Sequence, residues 1–328
     1  MKRLTSFLIL TSLIIGLLSF SGVTTQAETY RFVIVPKVVH PWFDKVVNGA
    51  REMARILEEQ TGDEFRIDYR APSSADVQQQ NKILEQAAAT RPDGITVDVL
   101  DPSGNLPILQ SINQRGIPLV FFDTEPPPEM KGFTSVGNDF CEQAKIASRQ
   151  LVELMKGEDG VLQPEEGQVA IMQGFPTATN HRIRFECHKE YLNTVENVEI
   201  VATGIDNDDI QRAQNQASSI ISAHPDLDGF LSCNAAGPIG IGLAIKEAGK
   251  VGEIKSVGMD DLDQLLQLIK EGVVHSSSST KPRMQGREIV RQLWMQNLGV
   301  STPDTIDTGI AIITKDDIPE DLDEYASP

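Results

Sequence analysis

Cysteine is scarce in this chain, with three residues in 328, and that scarcity excludes a small disulfide-framed scaffold. Cys141, Cys187 and Cys233 lie far apart, with no Cys-x-x-Cys pair and no His-x-x-x-His spacing, so neither a redox motif nor a zinc site is supported. An odd count leaves at least one thiol unpaired if a bridge forms. The three read chiefly as small buried hydrophobes, with one disulfide left open. Basic residues are also short: 29 Lys and Arg stand against 47 Asp and Glu, a net charge of -18, which makes nucleic acid a poor partner. Five histidines are scattered without a nucleophile elbow, metal pair or glycine-rich phosphate loop, which makes a cleft enzyme the less favoured alternative. The run Gly237-Pro238-Ile239-Gly240-Ile241-Gly242 is a poor dinucleotide fingerprint, because Pro238 and the spacing do not fit. Nothing calls for a metal or a cofactor.

What is present begins with Met1-Lys2-Arg3, an apolar run from Leu4 to Phe20, and small polar residues up to Ala27. This is the pattern of a secretory leader over residues 1–27, cleaved after Ala27. A retained anchor is the rival reading, but hydroxyls and glycine interrupt a run shorter than the about 20 apolar residues of a membrane span. No cysteine near the cleavage point marks a lipoprotein. Without Lys2 and Arg3 the mature chain carries 27 basic and 47 acidic residues, net -20. The simplest destination is the periplasm.

About 300 mature residues suggest two domains. Strand-like runs at 31–35, 65–69, 94–97, 119–122, 169–172, 198–202, 229–231, 254–257 and 273–277 alternate with helical patterns such as 43–59, 76–89, 143–155, 182–193, 210–222 and 239–248. Repeated βα units predict an α/β fold of parallel sheets with helices on both faces. The halves echo each other as two doubly wound lobes, with a boundary near Gly137. Helix 283–298 and the strand-like 310–313 come late, so the chain crosses between lobes more than once.

Ligands of open α/β sheets gather outside the carboxyl ends of the strands. There the first strand is followed by Pro36-Lys37-Val38-Val39-His40-Pro41-Trp42-Phe43, a cation, an imidazole and two aromatics suited to a small polyhydroxylated ligand. Asp123 and Thr124, Asn234, and Asp260 with Asp261 end later strands. Asn180, capping the coming helix, stands with Arg182 and Arg184 after another. Carboxylates, amides and guanidinium groups can each make two hydrogen bonds, which matches neighbouring hydroxyls on a sugar.

With Pro41-Trp42-Phe43, Gly116-Ile117-Pro118, Val136-Gly137-Asn138-Asp139, the Asn180–Arg184 spacing, His224-Pro225-Asp226 through Phe230, and Val257-Gly258-Met259-Asp260, the chain resembles the type I periplasmic solute-binding proteins of ABC sugar importers, the ribose-binding-like family, over residues 28–315. The resemblance implies two doubly wound parallel-sheet lobes joined by a multi-strand hinge, with residues 28–136 and 281–308 in one lobe and 137–280 and 309–328 in the other. It implies a monosaccharide or related polyol in the interlobe cleft, closure by hinge motion and an ABC permease in the inner membrane as partner; since substrate delivery needs a free cleft face, a monomer is expected. A receptor reporting to a chemoreceptor or sensor kinase is the alternative. By position, the family's stacking aromatics fall on Trp42 and Phe43, and its hydroxyl-gripping groups on Asp123, Arg182 or Arg184, Asn234 and Asp260. Pro36-Lys37 looks like the branch whose lysine reaches deoxysugars or furanose-like ligands. An aromatic sandwich with Asp, Asn and Arg would be a complete site. The chain departs from ribose-like binders at Thr124 (basic there), Asp208 and Met259 (aromatic there) and Thr280 (glutamine there), so ribose held in the usual way is not expected.

Overall fold

The computed structural model describes residues 27–157, 160, 162, 166–322 and 325. Residues 1–26 of the expected leader, and 323, 324 and 326–328 of the C-terminal segment, lie outside the described residues. Elements run in the order β1 (Thr29–Val35), α1 (Pro41–Thr61), β2 (Glu64–Tyr69), α2 (Val77–Ala89), β3 (Gly94–Val97), α3 (Pro102–Gln114), β4 (Leu119–Phe122) and β5 (Ser135–Gly137). Then follow α4 (Phe140–Leu154), β6 (Gly167–Gln173), α5 (Thr179–Leu192), β7 (Val198–Ile205), α6 (Ile210–Ala223), β8 (Gly229–Ser232) and α7 (Gly237–Glu247). The chain closes with β9 (Lys255–Met259), α8 (Asp263–Lys270), β10 (Ser276–Ser279), α9 (Pro282–Asn297), β11 (Thr305–Asp307) and β12 (Ala311–Ile313).

The strands form two six-stranded sheets, ordered β11-β5-β4-β3-β1-β2 and β12-β10-β9-β8-β6-β7. Among the described residues, the pairings between these strands are parallel except β10 with β12. The chain passes from the first sheet to the second between Gly137 and Phe140, returns with α9 after Ser279, and crosses again between Asp307 and Ala311.

The central strands read as continuous apolar runs because helices bury both of their faces. Phe32, Val33, Ile34 and Val35 in β1, and Val120, Phe121 and Phe122 in β4, are essentially inaccessible. The strand expected at 273–277 instead forms at 276–279 and consists of four buried serines. Backbone pairing with β9 and β12 holds it, Ser277 Oγ donates to the Asp260 carbonyl (2.6 Å), and Ser276 Oγ to Gln150 Oε1 (3.2 Å).

Two local devices position the site. α1 is capped by His40, whose Nδ1 accepts the Trp42 N–H (3.2 Å); Pro41 supplies N1, and Gly62 ends the helix in the left-handed region (φ 80°). This places Trp42 and Phe43 in the first turn, at the carboxyl edge of β1. α5 begins three residues earlier than the pattern suggests, at Thr179 with Ala178 as N-cap. Asn180 is therefore inside the first turn rather than its cap, and its Oδ1 accepts the His181 N–H. Cys141 and Cys187 form a disulfide between α4 and α5, and Cys233 is a buried free thiol.

Candidate functional site

Both sheets point the carboxyl ends of their strands at one interface, and the polar side chains named from sequence largely meet there. A cavity is lined by Lys37, His40, Trp42, Phe43 and Asp123 from the first sheet's side, and by His181, Arg184, Asp208, Asn234, Ala235 and Asp260 from the second. Its volume is about 20 Å³, enough for one water molecule. A wider surface depression of about 760 Å³ lies beside α1, among Arg51, Arg55, Glu58 and Tyr325. It gathers none of the strand-end groups, so the chemistry lies in the small cavity.

The Lys37 ammonium lies 3.1 Å from Asp98 Oδ2 and 3.5 Å from Asp123 Oδ2, and donates to Asn180 Oδ1 across the interface (3.3 Å). Burial works against its charge, but the Asp98 and Asp123 carboxylates together outweigh burial and raise its pKa. Burial pushes Asp98 up to about 8 despite Lys37. Asp123 is likewise raised by burial, against the pull of Lys37 and Arg184. Asn180 Nδ2 donates to Asp123 Oδ2 (2.7 Å), a direct bond between the two sides.

Arg184 enters from α5. Its Nε donates to Gln143 Oε1 (2.9 Å), its Nη1 to the Cys233 carbonyl (3.4 Å), and its Nη2 lies 3.9 Å from Asp123 Oδ1. That Nη2 is buried and finds no hydrogen-bond partner among the described residues, which leaves a donor facing the cavity. Asp260 accepts from Thr280 Oγ1 (2.6 Å), which in turn accepts from Trp42 Nε1 (3.2 Å). Burial raises Asp260 to about 6, with Arg184 and Thr280 opposing.

Asp208, in the loop before α6, reaches its carboxylate to the start of α7, accepting from the Ala236 N–H (3.1 Å) and Asn234 Nδ2 (2.9 Å), and lies 4.0 Å from His40 Nε2 across the interface. Asn234 also donates to Asp206 (2.6 Å). The cluster needs glycine at 237, where a Cβ would overlap the Ser232 hydroxyl. Asp123, Asp208 and Asp260 all take left-handed backbone (φ 52°, 57° and 67°). Such conformers cost a non-glycine residue about 1 kcal/mol or more and gather at functional sites.

Six sequence expectations do not join the cavity lining. Arg182 is exposed and lines an outer groove with Asp101, Pro126 and Thr177, because one residue along the helix from the inward faces turns it outward. Thr124 is buried behind the site, accepting the Val99 N–H (2.8 Å). Met259 is fully buried and does not line it. The aromatic sandwich is not formed either. Trp42 and Phe43 come from the same side and meet edge to face (5.1 Å, 89°), while the facing wall carries Asp208 and Asn234. Asn180 and Thr280 act one layer back, through Asp123 and Asp260.

Sequence reading missed Asp98, His181 and Gln143. Asp98 follows the strand-like run 94–97, so the rule that marked Asp123 and Asp260 would have found it. Neutral His181 accepts the Phe175 N–H at Nδ1 (2.9 Å), its pKa held well below the usual value by burial and then by Lys37 and Arg184. Gln143 leaves no signal in sequence, since nothing distinguishes it from other helical glutamines.

The model of the periplasmic binding protein domain matches residues 31–299. A D-ribose/D-allose-binding protein of Pseudomonas aeruginosa is 24% identical over 286 residues, 84% of this chain and 86% of the relative. A D-apiose import binding protein of Actinobacillus succinogenes is 23% identical over 261 residues, 79% of each. Among solved structures, GanP, a glucose-galactose binding protein from Geobacillus stearothermophilus, superposes with a TM-score of 0.78 at 25% identity, covering 89% of this chain and 99% of that one. An ABC transporter solute binding protein from Burkholderia graminis, in complex with D-arabinose, gives 0.81 at 22% identity, covering 90% and 98%. With its two parallel-dominated sheets and a family match over most of its length, the chain belongs to the periplasmic binding protein family.

Proposed function

We propose that this protein is the substrate-binding component of an ABC importer, taking a monosaccharide or related polyol in the interlobe cleft as a binding protein rather than an enzyme. One observation carries the reading. Trp42 and Phe43 from one side, and Arg184, Asn234 and Asp260 from the other, converge with Asp123 on a single buried cavity at the carboxyl ends of both sheets. A sugar's apolar face packs on aromatic rings while its hydroxyls bond to such groups. Relatives are named for binding D-ribose, D-allose and D-apiose, which supports the same ligand class here.

The lobes are 28–136 with 281–308, and 137–280 with 309–328, and the three crossings form the hinge. Admitting a sugar requires the lobes to part, since the cavity holds about 20 Å³ and Asn180 bridges directly to Asp123. Ligand hydroxyls then replace the Lys37–Asn180 and Asn180–Asp123 bonds, and closure follows from contacts made with both lobes at once. The closed, monomeric receptor presents its surface to an inner-membrane permease after export and loss of residues 1–27.

A thermal-shift screen of residues 28–328 against pentoses, hexoses, deoxysugars, polyols and amino sugars tests this. A ligand at a hundredfold excess over Kd stabilises by about 2.7 kcal/mol. A rise in Tm with a monosaccharide, abolished in Arg184→Ala, is expected. Silence across the panel would overturn the sugar reading.

A further inference from the structure

Arg184 reaches the cavity from α5, but it is gripped from α4. Gln143 accepts its Nε–H (2.9 Å), and Phe140 lies under the guanidinium with the ring centre 4.8 Å away. Gln143 is itself fixed: its Nε2 donates to the Ser278 carbonyl in β10 (2.9 Å), and its Oε1 also accepts from Asn138 (3.2 Å). Phe140 and Gln143 both lie in the first turn of α4. A helix end of this kind is the part most prone to local opening.

Cys141 sits between those two residues, and its disulfide partner Cys187 lies on α5 three residues beyond Arg184. Farther along the same helix pair, Lys145 meets Glu190 (3.1 Å), and Ser148 bonds His188 (2.8 Å). The covalent link is thus placed at the cavity end, while ordinary polar contacts join the rest.

We propose that the Cys141–Cys187 disulfide is a positioning element of the ligand site. It clamps the first turn of α4 onto α5 and thereby keeps the Arg184 guanidinium aimed into the cavity. Arg184 Nη2 is buried and without an acceptor among the described residues, so an oxygen of the ligand completes its hydrogen bonding. A guanidinium is a good partner for such an oxygen only while its plane is held, because its donors form a rigid fork. The affinity part of this proposal rests on the sugar-receptor reading; the orientation part does not.

The test compares residues 28–328 with the bridge intact, the Cys141→Ser/Cys187→Ser variant, and the wild-type protein reduced in native buffer, with far-UV circular dichroism confirming the fold. The first readout needs no ligand: the Arg184 Nε–H resonance, assigned through Arg184→Lys. With the bridge intact its exchange with solvent is slow, and without the bridge it is at least tenfold faster. The second is calorimetric affinity for the sugar that gives the largest thermal shift. Cutting the bridge weakens it about tenfold, but by less than twofold on a Gln143→Ala background, where the grip on Arg184 is already lost. Unchanged exchange at Arg184 overturns the proposal. An equal affinity loss on both backgrounds overturns it too, as does unfolding of both bridge-free forms, since the bridge would then serve the fold at large. If no sugar binds the oxidised protein, the sugar reading fails and the exchange measurement alone decides the role of the bridge.

Discussion

Lys37 is buried beside two carboxylates of unlike position, Asp98 behind it and Asp123 at the cavity wall. Asp98 completes no cavity contact of its own, so its effect on the site runs through the ammonium it holds. Folded, Asp98 keeps its proton up to about pH 8, whereas the ordinary value is 3.8. The native state therefore binds more protons than the unfolded state between those values, and this group's contribution to stability falls as pH rises through that window. Asp260, raised to about 6, acts in the same direction but is spent at lower pH. His188, held at about 4 by burial, acts oppositely: its stability is lost as pH falls below about 6.5. Between pH 6.5 and 8.5 Asp98 thus stands apart from these two. Urea unfolding of Asp98→Asn and the parent at both values is expected to show the variant gaining relative to the parent at the higher pH. Parallel curves would contradict the assignment.

At the scale of elements, α9 returns from the second sheet to pack on α1, the helix that carries the aromatic wall. The two helices touch at glycines. A Cβ on Gly286 would overlap the Val46 carbonyl oxygen, and one on Gly49 the Arg283 carbonyl oxygen. Around this contact, Glu52 pairs with both Arg283 and Arg287. Gly286→Ala must push the helices apart and is expected to cost about 1–3 kcal/mol, read as a lowered Tm; a Tm equal to the parent's would refute the close approach. Elements with apolar periodicity were legible in the sequence: β3 and β4 fall at the residues expected, and α1, α2, α4 and α6 lie close to them. The failures have physical causes. β10 is four serines whose burial depends on backbone pairing and hydroxyl bonds rather than on apolar surface. α3 carries Pro107 and Gly104, which hide its pattern. At the site, strand-end polarity found Asp123, Asn234 and Asp260. It could not say which arginine turns inward, nor that Met259 turns away, because successive residues alternate faces in a strand and residues two apart lie on nearly opposite faces of a helix.

At the scale of the whole molecule, the two sides are held together by polar contacts beyond the cavity. Lys45 on α1 donates to the Asp261 carbonyl (2.7 Å) and lies 3.2 Å from Asp261 Oδ1 on the opposite side. Lys45 does not line the cavity, so it acts on closure alone, and losing about 1 kcal/mol of closing energy weakens binding about fivefold. Lys45→Ala is expected to show that drop in calorimetric affinity with the thermal stability of the ligand-free protein little changed; an unaltered Kd would mean that the contact does not favour the closed form. The most direct test of the account is titration calorimetry of residues 28–328 with the monosaccharide that best raises Tm, against the Asp123→Asn variant. One sugar bound per chain, with affinity at least tenfold weaker in the variant, is the predicted result. Equal affinity in both proteins, or no heat with any monosaccharide, would contradict a sugar site between the two sheets.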